Sequence, residues 1–264
     1  MNSNTEPGRV RRSPPPFRRV TVAAVTRLNP RLVRVTFTGA ELDGLIVTEP
    51  GASIRLLLPR RDASELVVPT WRGNEFLLPN GIKPAIRTFT PSLMDSTSPV
   101  LELDIVVHGH GVASEWAETV RVGDLAAVSG PGRGHAIDVN ASDYIVAGDE
   151  SAIPAIRQLL EALPARHPTI AYLEVASPDG CVDFAVADHV TVEWLDAATD
   201  QPPGTAMADA AIAAPTSLTT HFWVAGEAAA VQRVRKHLFT QREFPRAQTT
   251  IRGYWKHGRV SVGD

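Results

Sequence analysis

From Arg18 onward the chain alternates apolar and polar positions with a period of two. Val20-Thr-Val-Ala-Ala-Val-Thr and Leu32-Val-Arg-Val-Thr-Phe-Thr carry β-branched residues in that alternation, the pattern of half-buried strands. Ser53-Ile-Arg-Leu-Leu-Leu-Pro and Leu101-Glu-Leu-Asp-Ile-Val-Val-His read as two further strands. Turn residues at Gly39, Asp43-Gly44, Pro50-Gly51, Asn80-Gly81 and Gly123-Asp124 punctuate the series. Short strands at turn-delimited spacing predict an all-β barrel or sandwich over residues 18 to about 138. One short helix interrupts it at Ala113-Ser-Glu-Trp-Ala-Glu-Thr-Val, with Ser114 or a nearby turn residue as its expected cap.

After Asp143 the period changes. Tyr144-Ile-Val-Ala-Gly reads as a short buried strand, and Ile153, Ile156, Leu159, Leu160 and Leu163 then recur on one helical face. Pro154 fits the first turn of that helix, where its missing N–H costs nothing. Thr169-Ile-Ala-Tyr-Leu-Glu-Val and Val190-Thr-Val-Glu-Trp-Leu are strands, and His221-Phe-Trp-Val-Ala-Gly leads into a helix over 228–239. The stretch between Asp196 and Ser217 reads as a surface connection with room for one short helix. This alternation predicts a parallel sheet with crossover helices. The expected organisation is a flexible basic, proline-rich arm or polyproline-like entry strand over 1–17, a β-barrel domain over 18–140 and an α/β domain over 141–264 with a basic C-terminal segment.

Composition narrows the classes. The 264 residues suit about two domains of roughly 150 residues. A formal charge of -3 offers no global field for nucleic acid. No segment approaches about 18 uninterrupted apolar residues, so no spanning helix is expected. The N-terminus is basic but lacks an apolar core segment, so it does not read as a secretory signal. The lone Cys181 permits no intrachain disulfide and no cysteine-built metal centre. His108 and His110 are the closest approach to metal-ligand spacing among the 8 histidines, and no metal is expected.

Four stretches carry candidate chemistry. Arg87-Thr-Phe-Thr-Pro-Ser sets an arginine, an aromatic ring and a hydroxyl along one strand, a surface able to meet a planar ring or to be ordinary exposed strand. In His108-Gly-His-Gly-Val-Ala-Ser, the small residues Gly109, Gly111, Ala113 and Ser114 precede a helix. Its N–H groups could meet a phosphate or simply start the helix. Val146-Ala-Gly-Asp-Glu-Ser-Ala-Ile-Pro-Ala closes the first parallel strand, where α/β sheets bind ligands, although it lacks a G-x-G-x-x-G clamp. Trp223-Val-Ala-Gly-Glu-Ala and Gly253-Tyr-Trp-Lys-His-Gly complete the set. Arg233, Arg235, Lys236, Arg242, Arg246, Arg252, Lys256 and Arg259 make the C-terminal region basic, with Glu243 alone opposing them, which suits an anionic substrate or a solvated face.

These stretches, in this order over about residues 18–259, resemble the siderophore-interacting proteins, a branch of the NAD(P)H:flavin oxidoreductase superfamily. The resemblance implies an N-terminal antiparallel, FAD-binding β-barrel of ferredoxin reductase-like fold followed by a parallel α/β NAD(P)H-binding domain. It implies FAD contacts at Arg87, Phe89, Thr90, His108, Gly109, Gly111, Ala113, Ser114 and Trp255. A looser NAD(P)H site is implied at Gly148, Asp149, Glu150, Ala225, Gly226 and Glu227, with the alternative that Glu150 only caps a helix. Arg55, Arg133, Lys256 and Arg259 are the implied cations for a ferric siderophore. No side chain is expected as general acid or base. The implied activity is cytoplasmic ferric-siderophore reduction. The alternatives are a generic NAD(P)H:flavin or ferredoxin-type reductase, and a siderophore-binding protein with a weakened flavin site. Two departures bear on that site: Phe89 stands where the family usually has tyrosine, and Ser92 where it usually has arginine.

Overall fold

The structure, a computed structural model, describes residues 14–59, 65–95 and 99–258. The first half is one antiparallel sheet built from β1 (Arg18–Asn29), β2 (Leu32–Thr38), β3 (Ile54–Leu57), β6 (Ile86–Phe89), β7 (Pro91–Asp95), β8 (Val100–Val106) and β9 (Leu125–Ser129), in the order β6-β3-β9-β1-β2-β8-β7. A two-stranded hairpin, β4 (Thr70–Trp71) and β5 (Phe76–Leu77), lies outside it. The edge strands β6 and β7 are joined by Thr90 alone, so the sheet must curl to bring their ends together at that corner. Val35, Phe37, Leu56, Leu101, Leu103 and Val128 fill the curl with no exposed surface. Helix α1 (Val112–Thr119) plugs it, with Trp116 stacked parallel to Phe37 at 6.3 Å between ring centroids. Residues 14–17 of the expected arm lie on the sheet: Pro15 accepts a hydrogen bond from Ser129 Oγ, and Phe17 meets Phe76 edge-on. Residues 1–13 of that arm fall outside the described residues.

The second half is a parallel sheet of β10 (Asp143–Asp149), β11 (Thr169–Val175), β12 (Val190–Asp196), β13 (Thr220–Glu227) and β14 (Thr249–Trp255), in the order β12-β11-β10-β13-β14. Helix α2 (Ile153–Ala162) packs on the face carrying Val146, Trp223 and Ala225. Helices α3 (Thr205–Ala213) and α4 (Ala228–Lys236) cover the opposite face, with Ile145, Phe222 and Val224. Interior strand β13 is buried at every residue, as a strand covered on both faces must be. The expected surface connection before Ser217 contains α3, whose Met207, Ala208 and Ala211 are buried. No helix among the described residues is long and apolar enough to cross a membrane. Strand order reverses between β10 and β13, a topological switch point, and the crevice beyond the C-terminal ends of such strands is where open parallel sheets take ligands.

Candidate active site

Three sets of bonds hold the curled sheet against that crevice. Gln158 of α2 donates from Nε2 to Pro91 O at 2.6 Å and accepts from Gly51 N at 2.9 Å. Arg252 of β14 donates to the carbonyls of Arg133 at 3.1 Å and Gly134 at 2.6 Å. Arg31, in the turn between β1 and β2, forms a bidentate pair with Glu150 at 2.6 and 2.7 Å. The phenol of Tyr254, next along β14, is hydrogen-bonded to Thr90, so the residue that joins the edge strands touches the parallel sheet directly. Burial raises the pKa of that phenol.

On the barrel side, Arg87 and Phe89 stand opposite Leu56 and Ile54 of β3, while Arg55 stands opposite Thr88. Arg87 and Phe89 therefore share one face of the strand pair and Arg55 takes the other. Phe89 is half-buried against the barrel core, and Thr90 is buried. Ser92, at the register shift between Pro91 and Leu93, buries its hydroxyl without a protein partner.

Of the two expected caps for α1, the structure has the nearby turn residue and not Ser114. Gly111 occupies the cap position at φ 85°, and no side chain caps the helix. Ser114 instead accepts a hydrogen bond from His108 N at 3.0 Å, which shapes the loop leading into the helix. The first N–H groups of α1 thus have no side-chain acceptor. Gly109 also has a positive φ, 82°, with nothing within 4 Å of where a β-carbon would stand. An uncapped helix start, open glycines and the orphaned hydroxyl of Ser92 on β7 suit the phosphates and planar ring of a flavin dinucleotide.

On the crevice side the carboxylates serve the scaffold. Buried Asp149 accepts from Ser151 N at 3.0 Å, Ser151 Oγ at 2.5 Å, Glu227 N at 2.8 Å and Trp255 Nε1 at 2.8 Å. Its burial raises its pKa despite those four donors. Glu227 caps α4 by accepting from Ala229 N and Ala230 N at 2.5 and 2.9 Å. Glu150 is committed to Arg31 rather than to a helix cap; Asp149 caps the following turn. A ligand at Gly148, Ala225 and Gly226 meets close-packed backbone. A β-carbon at Gly148 would stand 2.6 Å from Ala152, and one at Gly226 would stand 2.5 Å from Asp149 Oδ2. Trp255 reaches over this end of the sheet, tethered by Asp149 and 39% exposed.

The expected substrate cations are only partly gathered. Exposed Arg133 lines a groove of about 770 Å³ with Ser53, His135, His221, Gln248 and Arg252. Arg55 lies two residues beyond Ser53 on the adjoining strand. Lys256 is exposed just past the other end of β14, and Arg259 lies outside the described residues. Arg31, Gln158, Arg252 and Tyr254 were not singled out for the crevice or seam by sequence. Each is an ordinary turn, helix or strand residue until the two halves meet.

His135 sits in the seam beneath the groove. Its Nδ1 lies 3.1 Å from Thr250 Oγ1, and its buried Nε2 has no partner. Burial, then the charges of Arg252 and His221, lower its pKa to about 4 against the pull of Glu49. In the unfolded chain the same imidazole titrates near its ordinary value, roughly 6.5. Its contribution to stability is therefore complete above about pH 6.5 and is lost as pH falls through about 4. The melting temperature should drop across that window, and His135→Gln should flatten part of the drop. Scanning calorimetry at stepped pH tests this; an unchanged slope in the variant would remove His135 from the account.

Comparison with known proteins agrees with this geometry. The family model described as siderophore-interacting FAD-binding domain matches residues 21–135, and that described as siderophore-interacting protein matches 141–258. The chain is 31% identical to the ferric vibriobactin reductase ViuB of Vibrio cholerae over 86% of this chain and 85% of that one. It is 30% identical to the NADPH-dependent ferric-chelate reductase of Escherichia coli over 90% and 92%. A solved siderophore utilization protein from T. fusca superposes with a TM-score of 0.83 at 28% identity, covering 97% of this chain and 98% of that one. In fold alone it resembles phthalate dioxygenase reductase, with a TM-score of 0.60 at 16% identity over 93% and 70% of the two chains. A flavin-binding barrel domain joined to a ferredoxin reductase-like α/β half accounts for both matches, and this chain belongs to the siderophore-interacting protein family.

Proposed function

We propose that the chain is a cytoplasmic ferric-siderophore reductase that draws electrons from NAD(P)H through FAD. One observation carries the reading: the Thr90–Tyr254 contact, which sets the expected flavin strand against the crevice of the parallel sheet. The names of the Vibrio and Escherichia relatives support chelated iron as substrate, and the latter supports a pyridine nucleotide as donor. FAD, when bound, converts a two-electron hydride donor into a source of single electrons.

The residues divide that work. Arg87, Phe89 and Thr90 orient the ring, while the loop His108-Gly-His-Gly and the start of α1, with Ala113 and Ser114, receive the pyrophosphate. Gly148, Ala225 and Gly226 admit the nicotinamide end of the donor, with Asp149 and Glu227 shaping their backbone and Trp255 screening the crevice from water. Arg133, Arg252 and Arg55 attract an anionic ferric chelate to the seam. No proton-transferring side chain is required. Hard oxygen ligands hold Fe(II) less firmly than Fe(III), so reduction releases the metal. In this reading residues 18–140 form the flavin unit and 141–264 the nicotinamide unit.

The test is anaerobic iron release from a ferric siderophore into a ferrous trap, with FAD present and NADH and NADPH compared. Release dependent on both flavin and nucleotide is expected. A chain that binds ferric siderophore but never reduces it would overturn the proposal. Arg87→Ala should weaken FAD binding about tenfold by fluorescence titration, because a charge-assisted contact contributes about 1.5–3 kcal/mol. Unchanged affinity would place the flavin elsewhere.

A further inference from the structure

The Arg31–Glu150 pair stands where an anionic ligand has to arrive. Glu150 directly follows β10, at the C-terminal end of the strand beside the topological switch point. An unpaired carboxylate there would repel any phosphate entering the crevice. Arg31 comes from the other half of the molecule, 119 residues away in sequence, and answers that charge with a fork-to-fork pair. Glu150 is nearly enclosed, its side chain 11% exposed, and also accepts from Ala176 N at 3.3 Å. Arg31 remains 27% exposed. Only Nε and Nη2 reach Glu150, so the guanidinium, with five N–H donors in all, retains donors for a second anion. The neighbouring loop adds His108 and His110, whose Nδ1 atoms are 3.4 Å apart. Arg31 and Glu150 both act on the His108 imidazole, so the flavin loop and the crevice meet at this pair.

We propose that Arg31 is a pyrophosphate-binding residue at the mouth of the crevice, held in place by Glu150, for the diphosphate bridge of a dinucleotide. The inference rests on the dinucleotide chemistry of the reductase reading. Two dinucleotides carry that bridge, FAD and the pyridine nucleotide. Glu150 orients the guanidinium and opposes the ligand's charge, so the two residues have opposite signs in binding.

That opposition supplies the test. FAD and FMN affinities of the flavin-free protein are measured by fluorescence titration. NADP⁺ and NAD⁺ affinities of the FAD-saturated protein are measured by calorimetry. Arg31→Ala, and in smaller degree Arg31→Lys, should weaken a dinucleotide about tenfold. Glu150→Gln, which keeps an acceptor for Arg31 but removes the charge, should tighten it. Loss confined to FAD, with FMN unaffected because it lacks the bridge, assigns Arg31 to the flavin. Loss confined to NADP⁺ or NAD⁺ assigns it to the pyridine nucleotide. If both substitutions weaken binding alike, or neither moves any affinity beyond twofold while both lower the melting temperature, the pair is a structural latch and the proposal fails. The FAD arm is read without turnover, so it still decides the role of Arg31 if the protein reduces no iron.

Discussion

Gly226→Ala is expected to lower the melting temperature by roughly 5–15 °C and to abolish pyridine-nucleotide affinity. Gly226 has φ 150°, and an added methyl would stand 2.5 Å from Asp149 Oδ2 and 3.0 Å from Met207 Cε. The strained backbone costs about 1–3 kcal/mol by itself. Relief of the clash moves a buried carboxylate that joins the end of β10, the start of α4 and the Trp255 indole. Each charge-assisted bond so disturbed is worth about 1.5–3 kcal/mol, which makes the loss large. Gly123→Ala is the control. Its φ is 95°, and nothing lies within 4 Å of the added carbon, so only the backbone strain remains. Calorimetric melting and nucleotide titration on both variants decide the matter. Equal losses would mean that the Asp149 knot contributes nothing beyond ordinary glycine strain.

Arg133→Ala should raise KM for an anionic ferric chelate about five- to tenfold at low ionic strength while leaving flavin reduction by nucleotide unchanged. Arg133 is exposed on the groove, and its carbonyl is fixed by Arg252, so the cation is held at the mouth without being spent inside the protein. Salt should shrink the effect, since the screening length is about 10 Å at 0.1 M. A triscatecholate complex should suffer more than a neutral hydroxamate complex. Lys256→Ala should do less than Arg133→Ala, because four residues of extended chain place Lys256 about 13 Å beyond Arg252, outside one screening length. Steady-state iron reduction with both chelates at two salt concentrations, alongside stopped-flow flavin reduction, measures each claim. Salt-independent losses equal for neutral and anionic chelates would sink the electrostatic role.

Much of this molecule is written in local pattern. Alternation around Val20 and Leu32, the helical spacing from Ile153 to Leu160, and the buried run from Phe222 to Ala225 each encode which face meets a core, because burial is decided by period. The motif of small residues at Gly109 and Gly111 likewise marks the helix start before any tertiary contact exists. What the chain determined alone was therefore its two halves and their strand types.

The tertiary structure decided what each charged side chain does. Asp149, Glu150 and Glu227 lie in the stretches where the family resemblance implies a nicotinamide site; burial there obliges each carboxylate to find donors, and the protein's own N–H groups and Arg31 supply them. Arg55 and Arg87 are two strand arginines in sequence, but the register of β3 against β6 puts them on opposite faces. Arg252 belongs to a basic run along the chain, and only the seam turns it inward onto the carbonyls of Arg133 and Gly134. Sequence pattern fixes periodicity within an element, whereas Arg31 meets Glu150, and Arg252 meets the carbonyls of Arg133 and Gly134, across 118 or 119 positions of chain that only folding brings together.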